Sequence, residues 1–429
     1  MPWLSLLFII ALAAGTLLRF GLSVRQVRAV QSHRGHVPEP FSDRISLAEH
    51  QKAADYTVAN ARFGRLCISA DALVTLALTL GGGIGAIDAL WARAGWAQPW
   101  EGAAVVLTVL CFTSAIDLPL SLWRTFRLEA SFGFNRATPR IVLTDLVKSA
   151  LLALLIGGPV VLGALALMDR AGRLWWLWAW CGWLGLMLLM TWAWPAFIAP
   201  LFNRFSPLED RTLHARIESL LERCGFTSKG VFVVDGSRRS AHGNAYFTGI
   251  GRHKRIVFFD TLLARLTHSE VEAVLAHELG HFRLRHVRKR LLVTVALAFV
   301  ALAFLGWLAG QSFFYSALGV PVASSHAALL LFMFAAPVFM FFATPLASSW
   351  SRRHEFEADA FAARHCSADE LAAGLVKLYR DNATTLTPDE LYSAFYYSHP
   401  PALERIGRLR LLDSSNGRAQ PATAAQPAG

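Results

Sequence analysis

His277-Glu278-Leu279-Gly280-His281 puts two imidazoles and a carboxylate within five residues. On an α-helix, side chains four apart lie one above the other on one face, so His277 and His281 can reach the same small cation. Two imidazoles suit zinc, which takes nitrogen, sulfur or carboxylate ligands in a tetrahedron and keeps one position open when it works in catalysis. Glu278 lies one residue round from His277, near enough to take a proton from an attacking water without being a ligand itself. With 14 His and 15 Glu in 429 residues, an HExxH arises by chance only roughly 0.016 times. Two idle surface histidines are therefore a poor account of it.

Such a site needs a third protein ligand. The stretch Ser351-Arg352-Arg353-His354-Glu355-Phe356-Glu357-Ala358-Asp359 offers one. Glu355 and Asp359 stand one helical turn apart, so Glu355 can bind metal while Asp359 accepts the outer N–H of a ligand histidine and fixes its tautomer. ExxxD alone is most often a solvated helix face. After an HExxH with no better candidate between them, it becomes the favoured source. Glu357, His354 and His286 compete; His286, five residues beyond His281, falls off the ligand face and reads as surface or as an outer partner.

The elements that must position these groups are also legible. Thr267-His268-Ser269-Glu270 is a capping box that starts a helix, and Val271, Val274, Leu275, Leu279 and Phe282 continue it at helical spacing. Before it comes a helix-like stretch at Leu213–Cys224. Then Val231–Val234, Ala245–Thr248 and Ile256–Phe259, separated by turn residues, predict a small antiparallel sheet.

The rest of the chain is of another kind. It is 54% hydrophobic and only 17% charged, against about 25% charged in a soluble domain, and 12% aromatic residues exclude a disordered chain. Apolar blocks long enough to cross a bilayer as helices occur seven times: Met1–Phe20, Cys67–Trp91, Gly102–Trp123, Leu146–Met168, Leu174–Phe202, Leu291–Phe314 and Ala327–Ser349. The first lacks a basic leader and a small-residue cleavage site, so it reads as a retained span. The second is interrupted by Asp71, Asp88 and Gly81–Gly83. Asp117, in the third, is costly at membrane depth and implies either a polar interior or an interhelical hydrogen bond.

The net charge of +11 is spent on topology, not on nucleic acid. Basic residues crowd the connections after the first and third spans (Arg25 to Arg65, and Arg124 to Arg140), and the loops between hold few. That alternation predicts an N-terminus outside and an active site on the cytoplasmic side. No CxxC pair exists among the five cysteines, so no cysteine zinc site is indicated.

Several further segments resemble the membrane CAAX prenyl protease family: Glu129–Pro139, Pro200–Pro207, Val231–Ile250, Arg255–Leu263, Ala276–His286, Ser351–Ala360 and Tyr397–Arg405, in order along most of the chain. The resemblance implies a mostly α, polytopic protein of about seven transmembrane helices enclosing a water-filled chamber, with a small α+β metalloprotease domain. It implies a gluzincin-type zinc endopeptidase with one Zn2+ per chain held by His277, His281 and Glu355, and with Glu278 as general base. It further implies that Asn244 sits on an edge strand aligning substrate and that His399, in Ser398-His399-Pro400-Pro401, stabilises an oxyanion. Read without the family, Asn244 is a turn or strand-start residue and His399 a loop residue. Arg353 and Arg405 read first as structural ion pairs.

His354 stands where the family usually has an aromatic residue and Glu357 where it often has Gln. The resemblance implies peptide or protein substrates, either prenylated proteins that lose a C-terminal tripeptide or membrane proteins under quality control. The compact loop before the HExxH helix points to a bacterial inner membrane, with the endoplasmic reticulum as the alternative. Expected units are 1–202 (five spans), 203–290 (first protease half), 291–350 (spans six and seven), 351–412 (second protease half) and a disordered tail at 413–429. A non-catalytic membrane scaffold would not need HExxH, Glu355 and Asp359 together, and a zinc transporter would need ligands within its spans.

Overall fold

The computed structural model describes residues 3–228, 230–248 and 255–418. Six helices are long and apolar enough to cross a membrane, and one bent pair makes a seventh. In order these are α1 (Trp3–Ser32), α2 (Leu47–Leu78) with α3 (Gly83–Ala92), α4 (Trp100–Trp123, prolonged by a π turn to Glu129), α5 (Pro139–Leu152) continued by α6 (Gly158–Arg170), α7 (Trp175–Ala193) reaching α8 (Ala199–Phe202), and, after the first protease half, the last two. The weak second block is the bent pair: α2 and α3 meet at 50°, and Gly82 there sits at φ 75°, a left-handed conformation that costs glycine nothing.

The protease half begins with α9 (Arg211–Arg223), α10 (Asp260–Leu263) and α11 (His268–Arg283) around a sheet. Thr267 and Glu270 form the expected reciprocal cap: the Glu270 N–H donates to Thr267 Oγ1 at 3.3 Å and the Thr267 N–H to Glu270 Oε2 at 2.8 Å. The sheet differs from expectation. It has four strands, β1 (Phe205–Pro207), β2 (Val231–Val234), β3 (Ala245–Thr248) and β4 (Arg255–Phe259), in the order β1-β2-β4-β3. Two pairings are antiparallel, but β2 and β4 run parallel. The physical reason is the connection: β3 leaves β2 by way of a 3-10 turn at Gly236–Arg238, reaches the far edge, and returns antiparallel as β4. Strand β1, three residues with a terminal proline, carries too little pattern to stand out in the sequence.

After α11 come α12 (His286–Leu308), α13 (Ser312–Ala317), α14 (Ser325–Met340), α15 (Thr344–His365), α16 (Ala368–Asp381), α17 (Glu390–Tyr396) and α18 (Ala402–Arg418). The sixth span ends at Leu308, not Phe314, and a short separate helix follows. The seventh runs as one helical rod from Ser325 to His365, so residues 350 and 351 lie inside a continuous helix that carries Glu355 out of the membrane. Helix α18 covers 413–418, and the rest of the expected tail lies outside the described residues.

One core joins the protease half: Ile217, Phe258, Leu262, Leu275, Leu279, Ala362 and Ile406 are buried together. Val37, Phe41 and Ile45, from the connection between α1 and α2, belong to the same core. The basic loop after the first span and the protease half therefore sit at one end of the membrane helices. The spans are sparse by comparison. In α5–α6 and in α12 only 11% of the apolar window is buried, and in α7–α8 17%. Helices in a solid bundle bury a whole stripe; these do not. A cavity of about 470 Å³ among the spans is lined mostly by apolar side chains but also by Asp71, Asp117, Arg19 and Thr113, so Asp117 opens into a space that it shares with other polar groups.

Candidate active site

Helices α11 and α15 carry the two halves of the site and cross in close contact. Gly280, inside the HExxH stretch, lies at the crossing: a Cβ there would come within 3.0 Å of Ala358 Cα and 3.2 Å of its carbonyl oxygen. Ala358 is fully buried. Small residues on both helices bring the backbones together, and Glu355 reaches the histidines as a result.

His277, His281 and Glu355 are the group of three possible metal ligands found among the described residues. His277 Nε2 and His281 Nε2 are 3.2 Å apart. Glu355 Oε2 lies 3.5 Å from His277 Nε2, and Oε1 3.3 Å from His281 Nε2. Ligand atoms about 2.0–2.1 Å from a tetrahedral zinc are separated by roughly 3.3–3.4 Å, the edge of that tetrahedron. The His277–His281 separation is close to that edge, each imidazole has one oxygen of the Glu355 carboxylate at a similar distance, and the donor set is the two-imidazole, one-carboxylate set that zinc takes. A zinc ion fits these residues.

The two histidines are held differently. His277 is buried, and its Nδ1 meets Asp359 Oδ1 at 2.8 Å. Asp359 is in turn clamped by both branches of Arg405, Nε at 2.8 Å and Nη2 at 2.7 Å. Burial and the nearby Arg405 charge work against a protonated His277, but hydrogen bonds to Asp359 and Glu355 outweigh them and raise it to about 9. A proton and a metal thus compete for this ring. Burial likewise opposes the charge on Arg405, and the Asp359 carboxylate more than restores it.

His281 faces another partner. Its Nδ1 lies 3.0 Å from Nδ1 of His286, whose Nε2 is 2.9 Å from Glu357 Oε2. His286 is buried and stacks on His354 at 4.1 Å. The competitors for third ligand are therefore behind the site: Glu357 and His286 form a relay to the outer nitrogen of His281, and His354 packs on that relay. Sequence spacing could not show this, because His286 starts α12 after a left-handed Arg285 at φ 60° and so leaves the register of α11.

The remaining expected residues fall around this centre. Glu278 is half-buried on α11 beside His277. His399, between α17 and α18, is two-thirds exposed and places Nδ1 2.7 Å from Glu355 Oε2. Asn244 is exposed just before β3, and its carbonyl accepts from the Phe259 N–H at 3.0 Å. Strand β3 is an edge of the sheet and lies against the HExxH helix through Phe247 and Phe282, 5.1 Å apart. Arg405 is an ion-pair residue, but its pair is Asp359 behind the ligand histidine. Arg353 corrects its expectation: it is exposed with no ion pair among the described residues, while the neighbouring Arg352 ties α15 to the Ser393 and Tyr397 carbonyls at 3.1 and 2.8 Å.

Comparison with known proteins gives a consistent result. Residues 26–204 match the CAAX prenyl protease N-terminal region of five membrane helices, and residues 207–413 match peptidase family M48. The chain is 34% identical to CAAX prenyl protease 1 of Saccharomyces cerevisiae, covering 90% of this chain and 91% of that one. To the human CAAX prenyl protease 1 homolog it is 30% identical, covering 91% and 92%. To the Arabidopsis thaliana homolog it is 35% identical over 72% of each chain. The crystal structure of S. mikatae Ste24p superposes with a TM-score of 0.88 at 31% identity, covering 95% of this chain and 99% of that one. These relatives are eukaryotic and lend no support to a bacterial source.

Proposed function

The chain belongs to the membrane CAAX prenyl protease family and is a multi-pass membrane metalloprotease, and from that premise we propose that it is a zinc endopeptidase acting on prenylated CAAX proteins. The observation that carries the metal is the convergence of His277, His281 and Glu355, with the two Nε2 atoms 3.2 Å apart and a carboxylate oxygen within 3.5 Å of each. The substrate class rests on the relatives' names.

His277, His281 and Glu355 would hold a zinc ion, whose Lewis acidity would be available to the scissile carbonyl and to an attacking water. Glu278 accepts that water's proton and returns it to the leaving nitrogen, the work of a general base that becomes a general acid. His399, exposed beside Glu355, donates to the developing oxyanion. Asp359, fixed by Arg405, and His286, backed by Glu357, hold the two ligand rings in their tautomers. The open edge of β3 beside Asn244 pairs with an extended peptide and draws it past His277 and Glu278. The site lies at the end of the spans that carries the basic loops, which supports a cytoplasmic active site and an N-terminus outside.

The test uses purified full-length protein. About one zinc per chain is expected, with cleavage of a prenylated CAAX reporter that a chelator stops and added zinc restores. A zinc-replete protein inert towards prenylated and unprenylated reporters alike would return the chain to a scaffold.

A further inference from the structure

A second site is built at the membrane edge, away from the metal ligands. Where α5 enters the membrane and α8 leaves it, a cavity of about 500 Å³ is lined by Arg140, Lys148, Arg204, Arg238 and Arg239 against one lining carboxylate, Asp145. That carboxylate is already taken: Arg239 grips it with two hydrogen bonds of 2.9 and 3.0 Å. Asp235 at the rim lies 4.0 Å from Arg238, and its Oδ1 is engaged by the Arg204 backbone N–H at 2.7 Å. Lys148 donates to the Leu201 carbonyl and lies over the Phe202 ring at 5.8 Å, with no carboxylate partner. Among the described residues, Arg140 and Arg204 have no side-chain hydrogen bond or ion pair.

The placement is electrostatically unfavourable as it stands. Arg140 occupies the first turn of α5, and a cation at a helix N-terminus opposes the helix dipole. An anion in the cavity would relieve the dipole and the mutual repulsion of the arginines at once. The surroundings decide which anion. Leu201, which lines the cavity itself, is 48% exposed, and Leu143, Val147 and Phe197 on the same spanning helices are 62%, 51% and 59% exposed, so the helices that carry the basic mouth also present apolar surface to lipid. A phosphate above two apolar chains has that same layered shape.

We propose that this cavity binds the headgroup phosphate of an anionic membrane lipid, whose acyl chains lie along α5 and the end of the fifth span. The inference rests on membrane embedding alone and is independent of the protease reading, because its readout is lipid retention.

The full chain in detergent is titrated with phosphatidylglycerol, with phosphatidylcholine of the same acyl chains, and with inorganic phosphate, and bound ligand is counted by native mass spectrometry. Phosphatidylglycerol should be retained in preference to phosphatidylcholine. Removing interfacial cations costs about fivefold in anionic-lipid affinity apiece, so Arg140→Ala with Arg204→Ala should lose roughly 25-fold. The lysine pair, Arg140→Lys with Arg204→Lys, should keep most of the binding. Arg170→Ala with Arg173→Ala, at the other end of these spans, should change nothing. If the alanine pair fails to fold, Arg238→Ala at its exposed position asks the same question. Equal retention of the two lipids, or wild-type binding by the alanine pair, overturns the proposal. Displacement of phosphatidylglycerol by equimolar inorganic phosphate overturns its lipid part and leaves a free-anion site.

Discussion

Two helix crossings in this protein are built in opposite ways. In the protease half, α11 meets α15 backbone to backbone, with Gly280 against Ala358 and a buried core on every side. In the membrane, α12 meets α7 through bulky side chains: Gly306 faces the Trp176 ring, Trp176 and Trp180 stack edge-on against Phe299, and the Trp180 indole N–H donates to the Val295 carbonyl at 3.1 Å. The first crossing brings the ligand atoms of His277, His281 and Glu355 together. The second holds helices beside one another while leaving most of their apolar surface uncovered. Precision belongs where chemistry happens; the spans need only stand and leave room.

The strongest way to sharpen the contrast is to remove chemistry from the dense region without touching its packing. Glu278→Gln keeps size and every ligand, so zinc content and thermal stability should match wild type while cleavage falls about 10²–10⁴-fold. Wild-type turnover by the zinc-replete variant removes Glu278 from the mechanism.

Next comes the shell behind the ligands. Asp359→Ala deprives His277 of its partner and leaves buried Arg405 with only its longer carboxylate contact, to Glu355 at 3.7 Å, so zinc affinity should drop roughly 10–100-fold, measured by competition with a chromogenic chelator. His281→Ala or Glu355→Ala should empty the site outright. If Glu355→Ala retains zinc and Glu357→Ala does not, the third ligand is misassigned.

Packing is tested at Gly280. The Gly280→Ala methyl would meet the α15 backbone at Ala358 and the Phe361 Cβ, not the far end of a flexible side chain, and should destabilise the protein by about 1–3 kcal/mol and weaken zinc binding with it. A neutral Gly280→Ala would mean that the crossing is looser than its contacts. The smallest effect belongs to the membrane: Leu297→Ala on α12, at a position 63% exposed, should shift stability by less than about 0.5 kcal/mol. A loss comparable to that of Gly280→Ala would erase the distinction between the regions.

Elements with a strong local signal are legible in the amino-acid sequence. HExxH declares its own face, Thr267 and Glu270 declare where the helix begins, and the length of each apolar block declares a span, because helix period, capping and bilayer thickness act on short stretches. Even the bend in the second span is marked by Gly81–Gly83. The three longer strands are visible for the same reason. Their pairing is not: parallel β2–β4 depends on where the intervening segment crosses, which no residue pattern within a strand encodes.

Around the metal site the same boundary applies. The residue types and spacing in the sequence determined which side chains could hold zinc and which carboxylate could move a proton. Only the tertiary structure decided that Arg405, far along the chain, clamps Asp359 behind His277, and that His286 and Glu357, ligand candidates by residue type, stand instead behind His281. It alone decided that Gly280 is where two helices touch, and that five cations scattered from Arg140 to Arg239 share one cavity. The reason is physical. Local geometry follows from the chain's own dihedrals and periodicity, whereas an outer hydrogen bond or a close crossing exists only once distant segments have been packed against each other.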